Sequence, residues 1–421
     1  MFIQIHALQS FPPGNLNRDD QGLPKSALFG GVTRARISSQ CMKRQMRHSE
    51  CFRALENGLA HRTRSLPALV GRVLKERGYP KIDDATIGKI EGRIAAAFKK
   101  ESGDASIETP EGGVQTGQLV FFPQRFVEDI ATLIVEAADR GDGSLTAWLE
   151  GNAKGEKPPK RAAKSDGGGR FAETATQIEA SIREASKLIT IDIGLFGRMT
   201  TSDLIVDIEA ACQVAHAIST HEVRIERDYF TAMDDLAMMK GAGFIGTGDT
   251  STYFNSAVYY RYLNLDLHQL RRNVKISGIE VAAGILSEDE AVNAACALLK
   301  AVVFAGPAAK QNGFAAHAVP EFLICEVGSR RQPLSYANAF LEAVALDGEG
   351  SLMSRSAARM RRYVKDVAMH FEPLDSRRIA LAVGDAASPK DDQLARTTEV
   401  KCYADLEDAL RESLARGVGA R

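Results

Sequence analysis

The chain has 421 residues, of which 44% are hydrophobic and 25% are charged, and its formal net charge at pH 7 is −1. This length exceeds that of one ordinary domain, so we expect either one core with large insertions or two to three packed units. The composition is that of an ordinary soluble protein, and the balanced charge excludes global basicity as an indication of nucleic-acid binding.

Residues 2–8 predict the first element, a β-strand. Apolar side chains alternate there with Gln4 and His6, which predicts one buried face and one exposed face. The segment is neither a charged nor a long apolar leader, and no stretch of the chain is long enough to span a bilayer. We therefore expect a cytoplasmic protein with no targeting segment and no membrane partner.

A basic segment occupies residues 1–50. It holds three acidic and seven basic residues. The basic residues are Arg18, Lys25, Arg34, Arg36, Lys43, Arg44 and Arg47. Ser38 and Ser39 open a helical pattern in which Met42 and Met46 are spaced for burial. The hydroxyls, free backbone N–H groups and cations at such a helix start can bind a phosphate. An ordinary capped surface helix has the same pattern, but the upstream cations favour a nucleic-acid site.

Residues 51–186 are predicted to form a mostly helical insertion in the core fold, with an amphipathic helix over residues 123–140. A segment rich in Gly, Pro and Lys within this insertion contains a cluster of cations: Lys154, Lys157, Lys160, Arg161 and Lys164. By composition alone this segment is a solvated loop.

Strand patterns resume after the insertion and alternate with helical ones. Strands are predicted over residues 188–196, 222–230, 251–266 and 321–327, and helices over residues 207–218 and 291–304. The order is a strand, a helix, a large insertion and then mixed strands and helices. It predicts an α+β fold compatible with a ferredoxin-like sheet. Residues 346–421 form an extension of unknown role.

Sequence patterns for enzymatic chemistry lack their structural context. Residues 241–246 satisfy G-x-G-x-x-G, but the flanking sequence predicts neither a preceding strand nor a following helix, so nucleotide binding is not predicted. His221 and Glu222 lack the second histidine of H-E-x-x-H, and the six cysteines form no C-x-x-C pair. The sequence therefore predicts no cofactor, no metal site and no catalytic residue.

Several motifs occur together in a fixed order. They are Leu16–Asp20, Phe29–Gly31, Arg36–Gln40 with the cations that follow it, Asp192–Met199, Val214–His221, Gly241–Phe244 and Lys310–Asn312. In this combination they resemble the CasC family, the backbone subunits of the type I-E CRISPR Cascade complex. The resemblance covers roughly residues 1–50, 187–266 and 300–326, and several ordered motifs are far more specific than one.

The resemblance implies a hand-like architecture, with an RRM-like or ferredoxin-like palm, a helical fingers insertion and a β-hairpin thumb. In this chain the palm is expected at residues 1–50, 187–223 and 255–345, the fingers at 51–186, the thumb at 224–254 and the extension at 346–421. Because the subunit is structural in that family, the resemblance implies a non-enzymatic role in antiviral defence, within a ribonucleoprotein complex.

An RNA site is also implied by the resemblance. The matching residues are Arg18, Lys25, Ser38, Ser39, Gln40, Lys43, Arg44, Arg47, Arg198, Met199, Phe244, Lys310, Gln311 and Asn312. Met199 is expected to wedge beside bases, as apolar side chains do when they unstack them; a methionine that fills the core is the alternative. The thumb is expected to displace a nucleotide at regular intervals, and the cations of the fingers loop to attract DNA by counterion release.

The partners implied by the resemblance are crRNA, target DNA, other Cascade subunits and further copies of the chain. The copies are expected to associate head to tail, a heterologous contact that does not close and so produces a helical filament.

Two alternatives to this function remain at the level of sequence. The first is a metal-dependent ribonuclease, because backbone proteins of type III CRISPR complexes cut RNA with a loop aspartate and Asp19 and Asp20 lie in a loop here. Adjacent carboxylates on an extended loop point apart, which argues against it. The second is a stand-alone, monomeric single-stranded RNA-binding protein.

Overall fold

The computed structural model describes residues 1–55, 59–98, 107–108, 114–150, 178–200, 202, 205–228, 252–274, 286–371, 376–387, 394 and 396–418. The chain forms two compact units. Unit 1 comprises Met1–Leu55, Cys212–His268 and Asp289–Arg421, and unit 2 comprises Glu56–Ala211 and Gln269–Glu288. Among the described residues, every helix is too short or too polar to cross a membrane.

The elements confirm the α+β class predicted from the sequence. The strands are β1 (Phe2–Gly14), β2 (Ser26–Phe29), β3 (Val32–Ile37), β4 (Ala60–Thr63), β5 (Ile107–Glu108), β6 (Val114–Gln115), β7 (Val120–Pro123), β8 (Cys212–Val214), β9 (Ala217–Ser219), β10 (Glu226–Asp228), β11 (Thr252–Asp266), β12 (Phe322–Gly328), β13 (Ser376–Ala382) and β14 (Thr397–Val400). The helices are α1 (Ser39–His48), α2 (Glu50–Arg53), α3 (Leu66–Arg77), α4 (Asp84–Ala96), α5 (Gln124–Arg140), α6 (Ser144–Glu150), α7 (Ile191–Phe196), α8 (Leu267–Asn273), α9 (Glu288–Phe304), α10 (Gln311–Phe314), α11 (Leu352–His370) and α12 (Tyr403–Val418), with 3₁₀ turns at Ala337–Phe340 and Gly384–Ala386.

Unit 1 is built on one large mixed sheet with the order β14-β13-β12-β1-β11-β9-β3-β2, in which β8 and β10 also pair with β11. β1 lies between two antiparallel partners, since Phe2 is opposite both Asp266 of β11 and Gly328 of β12. β13 and β14 pair in parallel. The amino terminus therefore forms a central strand, held by strands from much later in the chain.

Helices cover the face of the sheet that contains Ile5. Met42 and Met46 of α1 are buried, as their spacing predicts, and they line a small cavity with Ile5, Leu263 of β11 and Val302 of α9. α1 is thus fixed against the sheet by its apolar side, which leaves its other side for polar contacts.

The opposite face of β1 is also buried, so the prediction that Gln4 and His6 face solvent is wrong. Gln4 is 4% exposed and His6 is fully buried. The apolar cluster on this face includes Tyr336, Phe340 and Met360. Phe340 belongs to the first 3₁₀ turn, Tyr336 directly precedes that turn, and Met360 lies in α11. The alternation is correct, but residues far along the chain cover the polar face.

A buried carboxylate organises the polar groups on this face. Glu326 of β12 accepts hydrogen bonds from the Tyr336 hydroxyl at 2.6 Å, from Arg378 Nε at 2.7 Å and from Gln4 Nε2 at 3.2 Å. His6 Nε2 lies 3.9 Å from the same carboxylate. Buried polar groups are tolerated when they are paired in this way. The extension after residue 346 supplies Arg378 and hence the closest ionic partner of Glu326.

Arg34 is buried as well, although its charge contributes to the basic segment of the sequence. Its guanidinium donates to the backbone carbonyls of Ser219 at 3.0 Å and Phe340 at 2.8 Å, and its Nε donates to the Phe29 carbonyl at 3.2 Å. These bonds tie the β2–β3 hairpin to β9 and to the first 3₁₀ turn. Arg34 is therefore a structural residue with no free surface for RNA.

The turn between β2 and β3 provides a test of this packing. Gly30 and Gly31 have φ values of +62° and +84°. A Cβ on Gly30 would lie 1.5 Å from the Leu341 carbonyl oxygen, whereas a Cβ on Gly31 would meet nothing within 4 Å. We expect Gly30→Ala to destabilise the protein by about 2–3 kcal/mol more than Gly31→Ala, because only Gly30→Ala adds overpacking to left-handed strain. Thermal unfolding followed by circular dichroism measures this; equal melting temperatures would contradict it.

Unit 2 has a separate core. Its described helices α3, α4, α5 and α6 surround an apolar cluster that includes Ile90, Phe126, Ile130 and Trp148. The amphipathic helix predicted over residues 123–140 is confirmed as α5. β4 and β7 pair antiparallel beside it.

Two sequence predictions for the residues that follow the insertion are wrong. Residues 191–196, predicted as part of a strand, form α7. Residues 212–214 and 217–218, predicted as part of a helix, lie in β8 and β9. A short apolar run does not distinguish a buried strand from a buried helix. The Asp192 carboxylate accepts hydrogen bonds from the Thr190 hydroxyl at 2.6 Å and from Ile193 N at 2.9 Å, which fixes the first turn of α7.

Candidate nucleic-acid interface

The start of α1 is the first part of the candidate site. Ser38 is the N-cap, and its hydroxyl accepts a hydrogen bond from Cys41 N at 3.3 Å. Ser38 N in turn donates to Asn17 Oδ1 at 2.9 Å, so the loop after β1 is attached to the helix start. The first N–H groups of a helix have no intrahelical acceptor, and they can bind an anion.

The loop after β1 brings further cations to the helix start. Lys25 N donates to the Asn17 carbonyl at 2.8 Å, and Arg36 N donates to the Lys25 carbonyl at 2.9 Å. Burial raises the pKa of the Cys41 thiol, and the charges of Lys25 and Arg44 oppose that shift. Lys25 and Arg44 therefore both lie near Cys41 in the first turn of α1, which makes this end of the helix electropositive.

Exposure divides the predicted RNA-binding residues of this segment into three groups. Arg18, Gln40 and Arg44 are exposed; Lys25, Ser39 and Lys43 are half-buried; Ser38 and Arg47 are buried. Ser38 therefore acts on the site through the cap. Arg47 is 6% exposed, which leaves its guanidinium little surface for a phosphate.

In unit 2, Arg198 is enclosed by backbone carbonyls. It is 4% exposed and donates to the carbonyls of Val206 at 2.8 Å, Ser186 at 2.8 Å and Phe121 at 3.3 Å. Burial lowers the pKa of this guanidinium to about 10, with the Asp207 charge opposing the shift. The side chain remains charged at neutral pH but holds the surrounding backbone, so Arg198 positions its neighbours.

The next residue, Met199, is 90% exposed. The alternative in which Met199 fills the core is therefore wrong. An apolar side chain in this position, beside the backbone that Arg198 fixes, is available to a partner.

Residues 310–312 form the N-cap and first residues of the short helix α10 of unit 1. Lys310 and Asn312 are exposed, and Gln311 Nε2 donates to the Pro307 carbonyl at 2.7 Å. The Phe314 ring lies 5.8 Å from the ring of Phe254 at the start of β11. Shortly after α10 comes Ala316, whose Cβ is 3.0 Å from where a Cβ on Gly14 would lie. Since Gly14 ends β1, α10 and the loop that follows β1 occupy the same end of the sheet.

Some predicted site residues lie outside the described residues. They are Phe244, in the glycine motif at 241–246, and the cations of the fingers loop, Lys154, Lys157, Lys160, Arg161 and Lys164. Their roles stay predictions.

Asp19 and Asp20 differ in their surroundings. Asp19 Oδ1 accepts hydrogen bonds from Leu23 N at 2.8 Å and Gln21 N at 3.0 Å, which closes the loop, and Asp20 is exposed. In the part of the chain that the structure describes, no group of three or more His, Cys, Asp or Glu side chains is placed to hold a metal ion.

A contact between Arg36 and His216 did not emerge from the sequence. Arg36 Nη1 lies 3.2 Å from His216 Nδ1, across 180 residues of sequence. His216 is exposed, but its partial burial still lowers the pKa of the imidazole, and the charges of Arg36 and Lys25 lower it further. Both residues belong to motifs of the resemblance, but the pairing of β3 with β9 is what brings them together.

Comparisons with known proteins cover nearly the whole chain. A family model described as CT1975-like protein matches residues 3–408. No curated protein matches the chain. A chain in a solved structure described as "CRISPR RNA-guided surveillance complex, pre-nicking" is 27% identical, with a TM-score of 0.75, and the match covers 98% of this chain and 100% of that one. A chain in a "CRISPR RNA-guided surveillance complex" matches with the same coverage, 23% identity and a TM-score of 0.64, which shows similarity of fold.

Proposed function

The chain belongs to the CT1975-like protein family, and from this premise we propose that it is a non-enzymatic backbone subunit of a type I-E CRISPR surveillance complex. In this role it coats crRNA and presents the guide to target DNA in antiviral defence. The observation that carries the proposal is the cluster of Lys25, Ser39, Gln40, Lys43 and Arg44 around the start of α1. The 27% identical match to a chain of an RNA-guided surveillance complex supports it.

The chemistry of this cluster suits the RNA backbone. Cations and backbone N–H groups bind phosphates without distinguishing the bases, so any guide can be held. Sequence selection then falls to base pairing between the guide and the target. A protein that coats guides of many sequences requires this division of roles.

Three further features support the proposed hand-like arrangement. Met199 is an exposed apolar side chain, as a wedge between bases requires. The described ends of the thumb segment pair antiparallel, with Glu226 opposite Phe254, as the base of a hairpin would. The antiparallel sheet around β1, with α1 and α9 on one face, is compatible with an RRM-like palm.

In this proposal the partners are crRNA, target DNA, other Cascade subunits and further copies of the chain in a head-to-tail filament. RNA cleavage by Asp19 and Asp20 is the less favoured function, because one Asp19 oxygen accepts the two loop hydrogen bonds and has less capacity left for a cation. A monomeric single-stranded RNA-binding protein is the other candidate that the test must separate.

The test is to express the chain with and without a CRISPR transcript, size the purified particle by light scattering and sequence any RNA that copurifies. We expect a large particle whose RNA contains repeat and spacer sequence. A monomer that is free of RNA would contradict the proposal, as would RNA that is cut in a metal-dependent way. A monomer with bound RNA of unrelated sequence would favour the stand-alone RNA-binding protein.

A further inference from the structure

Three basic side chains meet beside the start of α1. Arg36 of β3 is opposite Ile218 of β9, and His216 lies two residues before Ile218. His216 directly precedes β9, and its Nδ1 lies 3.2 Å from Arg36 Nη1, so the two side chains meet on one side of the sheet. Lys25 is joined to Arg36 through its backbone carbonyl, which accepts the Arg36 N–H, and the charge of its side chain acts on His216. We call the set of Arg36, Lys25 and His216 the basic triad.

The contact between Arg36 and His216 defines the protonation state of the imidazole. A guanidinium has five donors and no acceptor, so at 3.2 Å the His216 Nδ1 must be the acceptor. The proton of the neutral ring is then on Nε2. Because His216 is exposed, this state is not imposed by a closed pocket.

The charges around His216 oppose a second proton. In the part of the chain that the structure describes, Arg36 of β3 and Lys25 of the segment before β2 are the charged groups that act on it, and both are cationic. With partial burial, they hold the pKa of His216 below its ordinary value of 6.5. The free protein therefore carries a neutral imidazole within a cationic surface.

An anion would reverse this balance. A phosphate oxygen placed between Arg36 and His216 could accept one hydrogen bond from the guanidinium and another from Nδ1–H of an imidazolium. The negative charge would compensate both Arg36 and Lys25, which are the groups that disfavour protonation. The proton comes from solvent, so one proton is taken up for each site that changes state.

We propose that His216 is a further phosphate-binding residue of the RNA path and that it takes up a proton when RNA binds. This inference rests on the proposed function, because the phosphate is that of the bound RNA strand. An acidic side chain of a second copy of the chain is the competing anion. RNA is favoured because the basic triad adjoins the helix start, where backbone N–H groups also suit an anion.

The consequence is a pH dependence of RNA affinity. For each pH unit by which bound RNA raises the pKa of His216, the RNA affinity at low pH is up to about tenfold higher than the RNA affinity at high pH. We expect an increase of about threefold to tenfold as the pH falls from about 8 to about 6, the range in which histidine titrates.

The experiment uses the full chain and a short unstructured single-stranded RNA of mixed sequence. Affinity is measured across this pH range at constant ionic strength. Protons taken up are counted by calorimetry at neutral pH in buffers of different ionisation enthalpy. His216→Gln removes the titrating group and keeps polar atoms for Arg36. His370→Gln is the matched control, since His370 is an exposed residue at the end of α11.

We expect proton uptake and pH dependence in the wild type and in His370→Gln, with both strongly reduced in His216→Gln. An unchanged pH slope and proton uptake in His216→Gln would overturn the inference but leave the proposed function intact. Absence of RNA binding at every pH would overturn both. A pH-dependent self-association without RNA that His216→Gln abolishes would assign the residue to a contact between copies, and the RNA inference would be rejected.

Discussion

RNA affinity is expected to fall by about 100-fold or more when Lys25, Lys43 and Arg44 are all replaced by glutamine, because each cation contributes a charge-assisted contact to a phosphate. All three lie on the loop and the first turns of α1, where the cap at Ser38 fixes the backbone. Glutamine retains hydrogen-bonding capacity and much of the side-chain length, so the loss reports on charge. Titration of a labelled single-stranded RNA measures it.

The salt dependence of binding provides a second measurement on the same variant. Each phosphate contact with a single strand contributes about 0.7 to the slope of log affinity against log salt, so the slope should flatten by about 2. The matched control replaces three other exposed cations, Lys300, Arg330 and Arg362, with glutamine, which changes the net charge equally. If the control lost as much affinity as the test variant, binding would depend on total charge and the α1 site would be wrong.

The second large effect is expected at the buried carboxylate of β12. Glu326→Gln should destabilise unit 1 by about 3 kcal/mol or more, because it leaves the buried Arg378 guanidinium without a counter-charge. Glu326 is 1% exposed and Arg378 is 5% exposed. The control is Glu342→Gln: the Glu342 side chain is 85% exposed and paired with Arg359, so its loss should cost less than about 1 kcal/mol. Trp148 lies in unit 2, so its fluorescence does not follow the unfolding of unit 1. Hydrogen exchange of the β12 and β13 backbone amides is therefore the suitable probe.

The effect of Glu326→Gln should also depend on pH. Burial alone would raise the pKa of Glu326, but His6 and Arg378 outweigh burial and lower it to about 2, from 4.5. Of the two, Arg378 is the closer partner, at 2.7 Å against 3.9 Å. The stabilisation is therefore fully present above pH 4.5 and is lost as the pH falls toward about 2. The difference between wild type and variant should shrink over that interval, and a constant difference would rule out the carboxylate charge as its origin.

The sequence alone determined the elements whose patterns are local. The strand over 251–266 and the helix over 291–304 are confirmed as β11 and most of α9, and the spacing of Met42 and Met46 predicted the buried side of α1. These predictions succeed because strand composition, helix start signals and helical periodicity act over a few residues. The ordered motifs likewise indicated a subunit of a CRISPR surveillance complex, which is the kind of protein that the chain resembles in structure, since motifs need no three-dimensional information.

The tertiary structure decided which charged and polar side chains are available. Within one basic segment Arg34 is buried by distant carbonyls while Arg44 is exposed, and in one motif Arg198 is buried while Met199 is 90% exposed. The polar face of β1 is covered by α11, which lies more than 300 residues away in sequence. Burial of a cation depends on whether remote backbone oxygens surround it. Strand pairing brings those oxygens together, as it does Arg36 and His216, and local sequence does not specify it.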